Sequence, residues 1–446
     1  MRMSQFFLPT MKDHPSEAVA VSHQLMLRAG MINQHAAGLF TWLPLGNRVL
    51  RKIEALVRAG MDEAGAQEIT MPILQPTEPW KQSGRWEAYG QEMLRMKDRQ
   101  GRDLIFSPTN EEIVTDVFRA HAQSWRDMPC LLYQIQWKFR DELRPRFGVL
   151  RAREFLMKDA YSFDLDAVSA EQTYMKMMMA YMRIFARLGI RAIPMRADSG
   201  QIGGDCCHEM IVLAETGESG VFCDKAWQEF DTCASMPHDT GNTDALKSWF
   251  QNVTQLYAAT EDKHDPRTCP VPDTQLLATR GIEVGHIFSF GTKYTVPMGL
   301  KLASREGDPI APHGGAYGIG VSRLVGAVIE ANHDAAGIVW PHQIAPFSVG
   351  IIQLRPGHAD SNSVANALSQ SLTQAGAEPL WDDREDSPGS KFATMDLIGL
   401  PWSITIGHHG LKSGTVDLKH RATGRKESVS AESAINTVLN DDIFAR

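Results

Sequence analysis

The sequence predicts a chain of the mixed α/β (α+β) class with two domains. Residues 131–142 and 151–163 both read as strands, and the loop between them carries Pro145 and Gly148, which is typical of an antiparallel hairpin. From residue 345 onward, short strand patterns alternate with helical ones, which favours a small separate α/β domain. A chain of 446 residues is also too long for one ordinary core.

The N-terminal elements follow from the spacing of apolar side chains. A helix is predicted over residues 17–28 and a stronger one over 46–64, where apolar residues recur on one face. A strand is predicted over the apolar stretch 67–74, and two prolines mark its end. The methionine-rich stretch 170–188 predicts a helix whose adaptable side chains pack in the core.

A polar, irregular stretch at about 224–273 interrupts the first domain, with one helix predicted near 244–256. A glycine-punctuated strand at 316–320 then leads into a helix at 321–331. The proline-flanked segment 341–346 marks the expected boundary between the domains. Beyond it the predicted strands are 347–354, 377–381, 402–407 and 415–420, and the predicted helices are 361–375, 391–398 and 431–439.

Composition limits the classes of function. The hydrophobic share of 43% and the charged share of 22% are those of a globular protein, and no apolar run is long enough to cross a membrane. The N-terminus does not read as a secretory signal. Six cysteines without a C-x-x-C pair predict neither a disulfide framework nor a zinc site, so the expected location is the reducing cytoplasm. The cluster Cys206-Cys207-His208 lacks the usual ligand spacing, and no metal-binding residue is predicted.

The net charge of −8 argues against bulk electrostatic binding to nucleic acid, but it leaves room for local basic patches. Two such patches lie at 140–153 and 412–426. Each of them is also compatible with an ordinary solvated surface, so charge alone does not decide their function.

The first patch carries residue types that suit a nucleotide. Arg140 and Glu142 would share one face of a strand, where Arg140 holds an anionic oxygen and Glu142 accepts bonds from an amino group. After the loop, Phe155 suits stacking on a base and Arg151 suits a phosphate. A surface ladder of ion pairs would produce the same pattern, and the hairpin alone leaves both readings open.

A second element is the segment Gly318-Ile319-Gly320-Val321-Ser322-Arg323 at the start of the helix at 321–331. Its glycines allow the backbone to approach a ligand, and the helix N-terminus favours an anion. Arg323 adds a full positive charge in the first helical turn. The dinucleotide-binding fingerprint is excluded, because the pattern does not end in glycine.

Taken together, the two elements resemble the second and third motifs of the class II aminoacyl-tRNA synthetases, and the unit at 46–72 is similar to their first, dimer-forming motif. Longer matches narrow the resemblance to prolyl-tRNA synthetases of bacterial type over essentially the whole chain. These matches are SPTNEE at 107–112, RPRFG at 144–148, REFLMKDAYSF at 153–163, GIEVGH at 281–286, YGIGVSR at 317–323 and KFA at 391–393.

This resemblance implies a class II antiparallel-sheet catalytic domain over 1–340 and a mixed-sheet α/β anticodon-binding domain over 345–446. It implies a homodimer that uses ATP and Mg²⁺ to activate L-proline and load it onto the 3′-terminal adenosine of tRNA(Pro). The catalytic residues would be Arg140 and Arg323. The ATP-binding residues would be Arg140, Glu142, Arg151, Phe155 and Arg323. The proline-binding residues would be Thr109, Glu111, Arg140, Met157, Asp159, His286 and Ala316, and the tRNA-binding residues Lys391, Lys412, Lys419 and Arg421.

The chain departs from the longer bacterial members, which carry a large editing domain where this sequence has only the stretch at 224–273. We therefore expect no editing domain, some misactivation of alanine and cysteine, and correction by a separate trans-editing protein. A proline pocket discriminates weakly against smaller alanine, since one methylene is worth only about 1–3 kcal/mol.

Three alternative functions are compatible with the same sequence features. A synthetase for threonine, serine or glycine shares the motifs, although a threonine enzyme is expected to carry a zinc site of Cys and His ligands. A binding or regulatory paralogue would keep the fold, but it often loses a motif arginine or the C-terminal domain. A tRNA-independent adenylate-forming enzyme would not need residues 345–446.

Overall fold

The computed structural model describes residues 1–13, 15–200, 202–204 and 206–440. Contacts divide the chain into two compact units. The larger unit contains Ala37–Leu39 and Glu54–Ala327, and the smaller unit contains Met1–Ala36, Phe40–Ile53 and the chain from Val328 onward. The N-terminal segment therefore packs with the C-terminal part of the chain. The domain limits 1–340 and 345–446 stay predictions.

A nine-stranded sheet, the central sheet, forms the larger unit. Its pairs are antiparallel except at Gln67–Glu68 and between Ala258–Thr260 and its neighbour Ile193–Arg196. In spatial order its strands are Cys206–Leu213, Ile193–Arg196, Ala258–Thr260, Ser219–Asp224, Leu276–Gly291, His313–Ile319, Glu154–Asp164, Cys130–Phe139 and Gln67–Glu68. The first of them also pairs with Leu276–Gly291. The predicted fold class is confirmed.

The predicted hairpin forms the seventh and eighth strands of this sheet, where Cys130 pairs with Phe163 and Phe139 pairs with Glu154. Its strands are shorter than predicted, because the chain turns at Arg140. The Arg140 backbone N–H donates to Arg153 O over 2.9 Å, and the Glu142 N–H donates to Arg140 O over 2.7 Å. The alternation predicted that Arg140 and Glu142 share one face of a strand. This prediction is wrong, because the strand ends at Phe139.

The predicted strand over 67–74 is also wrong in extent. The paired strand covers only Gln67–Glu68, and Leu74–Pro76 belongs to a separate three-stranded sheet. The ladder ends because the Met71 N–H donates to the Gln134 side chain instead of to backbone, and Pro72 has no N–H to donate.

The methionine-rich helix Ala167–Arg187 packs on the central sheet. Asp166 caps its first turn, since its carboxylate accepts from the Ser169 N–H over 2.8 Å. Its methionines are buried, as predicted: Met175, Met177, Met178, Met179 and Met182. The polar stretch at 224–273 contains the helix Thr243–Thr254, close to its predicted place.

The smaller unit contains a five-stranded mixed sheet. The order of its strands is Pro379–Asp382, Val349–Gln353, Trp402–Ile406, Thr415–His420 and Lys426–Ser430, with parallel pairs among the first three and antiparallel pairs among the last three. Lys426–Ser430 was not predicted, because Val429 is its one apolar residue. Helices Ala359–Gln374 and Ala431–Asn440 bury Leu368, Leu372 and Val438 against this sheet.

Among the remaining elements, the longest is the helix Pro44–Glu63. The other helices are Val21–Arg28, Glu78–Gln82, Arg85–Ala88, Glu111–His121, Val321–Ala331, Pro388–Ile398 and His408–Ser413. The other strands are Ile32–Ala36, Leu39–Trp42, Arg95–Lys97, Asp103–Phe106, Leu302–Ala303, Pro309–Ile310, His333–Asp334 and Gly337–Ile338. Among the described helices, none combines the length and the apolar character needed to cross a membrane.

Candidate active site

A cavity of about 380 Å³ lies over three adjacent strands of the central sheet: Leu276–Gly291, His313–Ile319 and Glu154–Asp164. Every residue that the sequence predicted for ATP or proline lines it. These residues are Thr109, Glu111, Arg140, Glu142, Arg151, Phe155, Met157, Asp159, His286, Ala316 and Arg323. Side chains separated by more than two hundred positions in sequence therefore meet at one site.

The strand pairing explains how the cavity floor forms. Gly318 pairs with His286 on one side and with Asp159 on the other, so it separates the two side chains. A Cβ atom added at Gly318 would meet only His286 O and Met157 Sδ, both at 3.9 Å. Glycine here does not relieve a clash within the protein. It leaves space in the cavity itself, as expected where a ligand approaches the backbone.

Arg85 is a residue of the site that the sequence did not reveal. Its side chain is buried, and Nη1 donates to Glu111 Oε2 over 2.9 Å and to Glu112 Oε1 over 3.1 Å. Its guanidinium carbon lies 5.0 Å from the centre of the Trp80 ring and 5.4 Å from that of Tyr294. The cation is thus held between aromatic faces and two carboxylates, an arrangement that suits arginine better than lysine.

The two carboxylates bound by Arg85 behave differently. Burial opposes ionisation of Glu111, but the charge of Arg85 and a 2.7 Å hydrogen bond from the Thr109 hydroxyl hold its pKa below the ordinary value. For Glu112, burial and then the nearby charge of Glu111 outweigh Arg85 and raise the pKa to about 7. Glu111, which lines the cavity, is therefore the carboxylate kept ionised at neutral pH.

Asp159 is a second buried carboxylate at the cavity. Its Oδ2 accepts from the Tyr161 hydroxyl over 2.8 Å and from Gln134 over 3.2 Å, and Lys138 Nζ lies 3.3 Å away. Its Oδ1 is buried, and no polar group of the described residues donates to it. A buried acceptor without a donor is costly, so a ligand N–H at this position would relieve that cost.

Elsewhere in the cavity lining the predicted pairings are exchanged, since Arg140 lies beside Phe155 and Arg151 lies beside Glu142. The Arg140 guanidinium carbon is 5.3 Å from the centre of the Phe155 ring, and its nitrogens contact Pro108 O at 3.3 and 3.4 Å. Arg151 Nη2 lies 3.0 Å from Glu142 Oε2. Although burial opposes it, the hydrogen bond from Arg151 helps to lower the pKa of Glu142.

Arg323 lies among carboxylates that the sequence analysis had not assigned. Its Nη1 donates to Glu283 O over 2.7 Å, and it lies 3.2 Å from Glu283 Oε2 and 3.3 Å from Glu218 Oε1. Glu283 belongs to the GIEVGH segment, where the resemblance implied a role for His286 but not for this glutamate. Glu218 falls in a part of the chain where no motif was found, and its position gave no signal.

Three potential metal ligands, Glu209, Glu283 and His286, lie within 4.8 Å of one another. Despite burial, the hydrogen bond from His286 and the charge of Arg323 lower the pKa of Glu283 to about 2. Burial and the charge of Glu283 raise the pKa of Glu209 to about 9. His286 Nδ1 lies 3.1 Å from Glu283 Oε1, and Cys207 Sγ lies 2.8 Å from His286 Nε2.

The four basic residues predicted to bind tRNA belong to the smaller unit and have different surroundings. Lys391 is buried and donates to Gln353 O over 2.6 Å. Arg421 is also buried and makes a two-pronged ion pair with Asp334, at 2.6 and 2.7 Å.

Lys419 is half-buried and lies 2.5 Å from Asp396, whereas Lys412 is exposed on the helix His408–Ser413. Of the four predicted residues, Lys412 presents its charge most openly to solvent.

Comparison with known protein families supports the fold. Residues 94–332 match the tRNA synthetase class II core domain (G, H, P, S and T), and residues 348–441 match an anticodon binding domain. The solved prolyl-tRNA synthetase of Cryptosporidium parvum, complexed with halofuginone and AMPPNP, has the same fold, with a TM-score of 0.73 at 16% identity, over 95% of this chain and 78% of that one. The fold and the site define a class II aminoacyl-tRNA synthetase.

Curated relatives narrow this class. The chain is 55% identical to a proline–tRNA ligase of Rhizorhabdus wittichii over 98% of its own length and 99% of that protein. It is 54% identical to a proline–tRNA ligase of Parvibaculum lavamentivorans, with the same shares covered. The chain belongs to the proline–tRNA ligase family, and its length matches that of these relatives.

Proposed function

We propose that the cavity binds L-proline and ATP side by side and joins them as prolyl-adenylate, which is then transferred to tRNA(Pro). One observation carries the proposal: the ionised Glu111, the acceptor Asp159 and the cations Arg140 and Arg323 all line one cavity. Carboxylates suit the ammonium of an amino acid, and arginines suit carboxylate and phosphate oxygens. The lining of this one cavity of about 380 Å³ therefore offers charged groups that are complementary to both substrates.

Proline would bind with its secondary ammonium at Glu111 and Asp159 and with its carboxylate at Arg140. Thr109 holds Glu111 in place through its hydroxyl, at 2.7 Å. The ring would lie against Met157, Ala316 and His286, which line the same cavity. A pocket with buried polar groups on one side and apolar atoms on the other orients a small amino acid.

ATP would bind with its base stacked on Phe155, its phosphates at Arg140, Arg151 and Arg323, and its amino group near Glu142. Activation follows when a proline carboxylate oxygen attacks the α-phosphorus and pyrophosphate leaves. Positioning and charge neutralisation supply most of the catalysis in such a reaction. Arg323 is poised for this role, because its guanidinium faces the cavity and its partners Glu218 and Glu283 hold it in place.

Mg²⁺ would be held by Glu283 and by Glu209, which would lose its proton on binding, since carboxylate oxygens are the ligands that this ion prefers in proteins. When bound, the ion would supply positive charge to the phosphates. His286 is the third member of the group, but an imidazole suits this ion less well than a carboxylate does.

Transfer to tRNA would use the attack of the 3′-terminal ribose hydroxyl on the prolyl carbonyl carbon, with AMP as the leaving group and the adenylate phosphate taking the hydroxyl proton. The smaller unit would hold the anticodon region, with Lys412 and the half-buried Lys419 as phosphate contacts. Lys391 and Arg421 are proposed to act from within that unit by supporting its shape, because their charges are used internally.

We further propose that this cytoplasmic enzyme is a homodimer without an editing domain of its own. The relatives in the family have nearly the same length, and the stretch at 224–273 holds only short elements. Alanine and cysteine would then be activated at a low rate, and correction would fall to a separate trans-editing protein. Appreciable hydrolysis of Ala-tRNA(Pro) by the pure enzyme would refute this part of the proposal.

The function is tested by aminoacylation of tRNA(Pro) with labelled proline, ATP and Mg²⁺, using the full chain. We expect acid-precipitable, base-labile prolyl-tRNA to accumulate with one AMP released per ester formed. Substitution of Asp159→Asn should lower kcat/KM for proline by about tenfold or more, the scale for loss of a charged hydrogen bond. Unchanged kinetics for this variant would contradict the proposed ammonium site.

A further inference from the structure

The His286 ring lies between two hydrogen-bonding groups at the edge of the proposed proline site. Its Nδ1 is 3.1 Å from Glu283 Oε1, and its Nε2 is 2.8 Å from the thiol sulfur of Cys207. The ring also stacks on Phe288, with 3.9 Å between the ring centres and 25° between the planes. Two hydrogen-bonding contacts therefore fix the ring within its own plane, and the stacked Phe288 ring supports one of its faces.

Strand pairing brings the thiol to this place. Cys207 is paired with Phe288 across neighbouring strands of the central sheet, and His286 lies two residues before Phe288. Side chains of paired residues, and of residues two apart, share one face of a sheet, so the three groups lie together. Cys206 alternates to the other face, where it interacts with Tyr174.

The hydrogen bonds that link Glu283, His286 and Cys207 can be assigned donors and acceptors in only one way. A carboxylate accepts hydrogen bonds, so the 3.1 Å contact with Glu283 Oε1 places a hydrogen on Nδ1 and leaves Nε2 to accept from the thiol. A thiol is protonated at neutral pH and can donate to that acceptor. The other acceptor near the sulfur, Asp198 O, is farther away, at 3.6 Å.

We infer that Cys207 is a positioning residue for the proline-activating reaction, and that its thiol sets the orientation of the His286 ring against the proline ring. The sulfur does not line the cavity, so it acts through His286 and not on the substrate. This arrangement also gives Cys207 a part in specificity. The ring of proline would contact the His286 side chain, whereas alanine has fewer atoms to make this contact. Because the thiol orients His286, it favours proline over alanine. The inference rests on the proposed proline-binding role of His286.

The test uses Cys207→Ala, which removes the donor, and Cys207→Ser, which keeps one. Cys206→Ala is the matched control, because it removes a neighbouring thiol from the opposite face. Proline-dependent ATP–pyrophosphate exchange by Cys207→Ala should show KM for proline raised about three- to tenfold, the range for one lost hydrogen bond, with KM for ATP unchanged. Cys207→Ser and Cys206→Ala should stay within about twofold of the wild type.

Exchange with alanine gives the second readout. We expect kcat/KM for alanine to change little in Cys207→Ala, so the preference for proline falls by the factor lost with proline. Equal kinetics for Cys207→Ala and wild type would overturn the inference, as would equal impairment of the Ala and Ser variants or a parallel rise in KM for ATP. Failure of the wild type to exchange with proline would instead count against the proposed function.

Discussion

The guanidinium of Arg85 donates one hydrogen bond to Glu111, over 2.9 Å, within an enclosure of aromatic rings. This contact joins a residue outside the cavity to the carboxylate proposed to bind the proline ammonium. Because the charge of Arg85 helps to lower the pKa of Glu111, it also sets the pH range over which that carboxylate is available.

Replacement of Arg85 by methionine should therefore impair proline binding in a pH-dependent way. Without the cation, the buried pair Glu111 and Glu112 retains a proton at higher pH, so KM for proline should rise steeply as the pH falls from about 8 to about 6. Loss of one partner of a buried pair also costs about 3–5 kcal/mol of folding free energy, which thermal unfolding would measure. Pyrophosphate exchange across this pH range checks the first effect.

Arg102→Met is the matched control, because Arg102 makes an exposed ion pair with Asp98. It should leave KM for proline and its pH dependence unchanged. A flat pH profile for Arg85→Met, at a KM close to that of wild type, would show that Arg85 does not tune Glu111.

Glu112 should make the protein less stable as the pH rises through the weakly acidic range. Its pKa is raised to about 7 in the folded state, above the value of about 4.3 expected when the chain is unfolded. The folded state thus holds a proton that the unfolded state has released, and the free energy of unfolding falls by up to about 1.4 kcal/mol per pH unit between these values. Above about pH 7 this contribution becomes constant.

Glu112→Gln keeps the shape of the side chain and removes its titration. Urea unfolding at pH 5, 6 and 7 should show a smaller decline of stability in this variant than in wild type, while the exposed control Glu432→Gln should follow the wild type. Parallel curves for Glu112→Gln and wild type would mean that Glu112 is ionised in the folded protein throughout.

Lys412 should contribute to tRNA binding without affecting proline activation. Its side chain is exposed, so Lys412→Ala removes a charge and little packing. We expect KM for tRNA to rise a few-fold and the slope of log affinity against log salt to fall by about one, as for a single phosphate contact. Filter binding at several salt concentrations measures both, and an unchanged slope would exclude a phosphate contact.

Lys391 should act on stability instead. Its ammonium group is buried and bonded to Gln353 O, so Lys391→Ala leaves that carbonyl without its donor and opens a cavity. The thermal midpoint should fall by several degrees, which differential scanning calorimetry detects. A normal midpoint combined with weakened tRNA binding would restore the direct role that the sequence predicted.

Arg323 should be required for activation and not replaceable by lysine. Arg323→Ala removes charge from the proposed phosphate site, and we expect a loss of about a hundredfold or more in the exchange rate, the scale for one transition-state contact. Arg323→Lys should recover little, since one ammonium group cannot reproduce the fork that contacts Glu218 and Glu283. Activity of Arg323→Lys close to that of wild type would contradict this role.

Apolar spacing was sufficient to locate most of the described helices but only a minority of the described strands. The helix at 321–331 and the strand at 415–420 have their predicted bounds, because each has an uninterrupted pattern. The strands Ser219–Asp224 and Leu276–Gly291 were not predicted, since polar residues and glycines interrupt their patterns. Their place in the sheet depends on pairing with distant strands, which local spacing does not encode.

Motifs located the cavity residues that belong to contiguous segments, such as Phe155, Met157 and Asp159. They did not locate Arg85 or Glu209, which reach the site through tertiary contacts with Glu111 and with the pair Glu283 and His286. The buried positions of Lys391 and Arg421 were also beyond reach, because a basic stretch in a sequence does not show which of its charges finds a partner inside the fold.

The most direct test of proline activation by this cavity is ATP–pyrophosphate exchange by the purified full chain with each of the twenty amino acids, with Arg140→Ala as the control. We expect strong exchange with proline, weak exchange with alanine or cysteine, and loss of exchange in the control. The absence of exchange with every amino acid, from folded protein supplied with Mg²⁺, would contradict the proposal that this cavity activates proline.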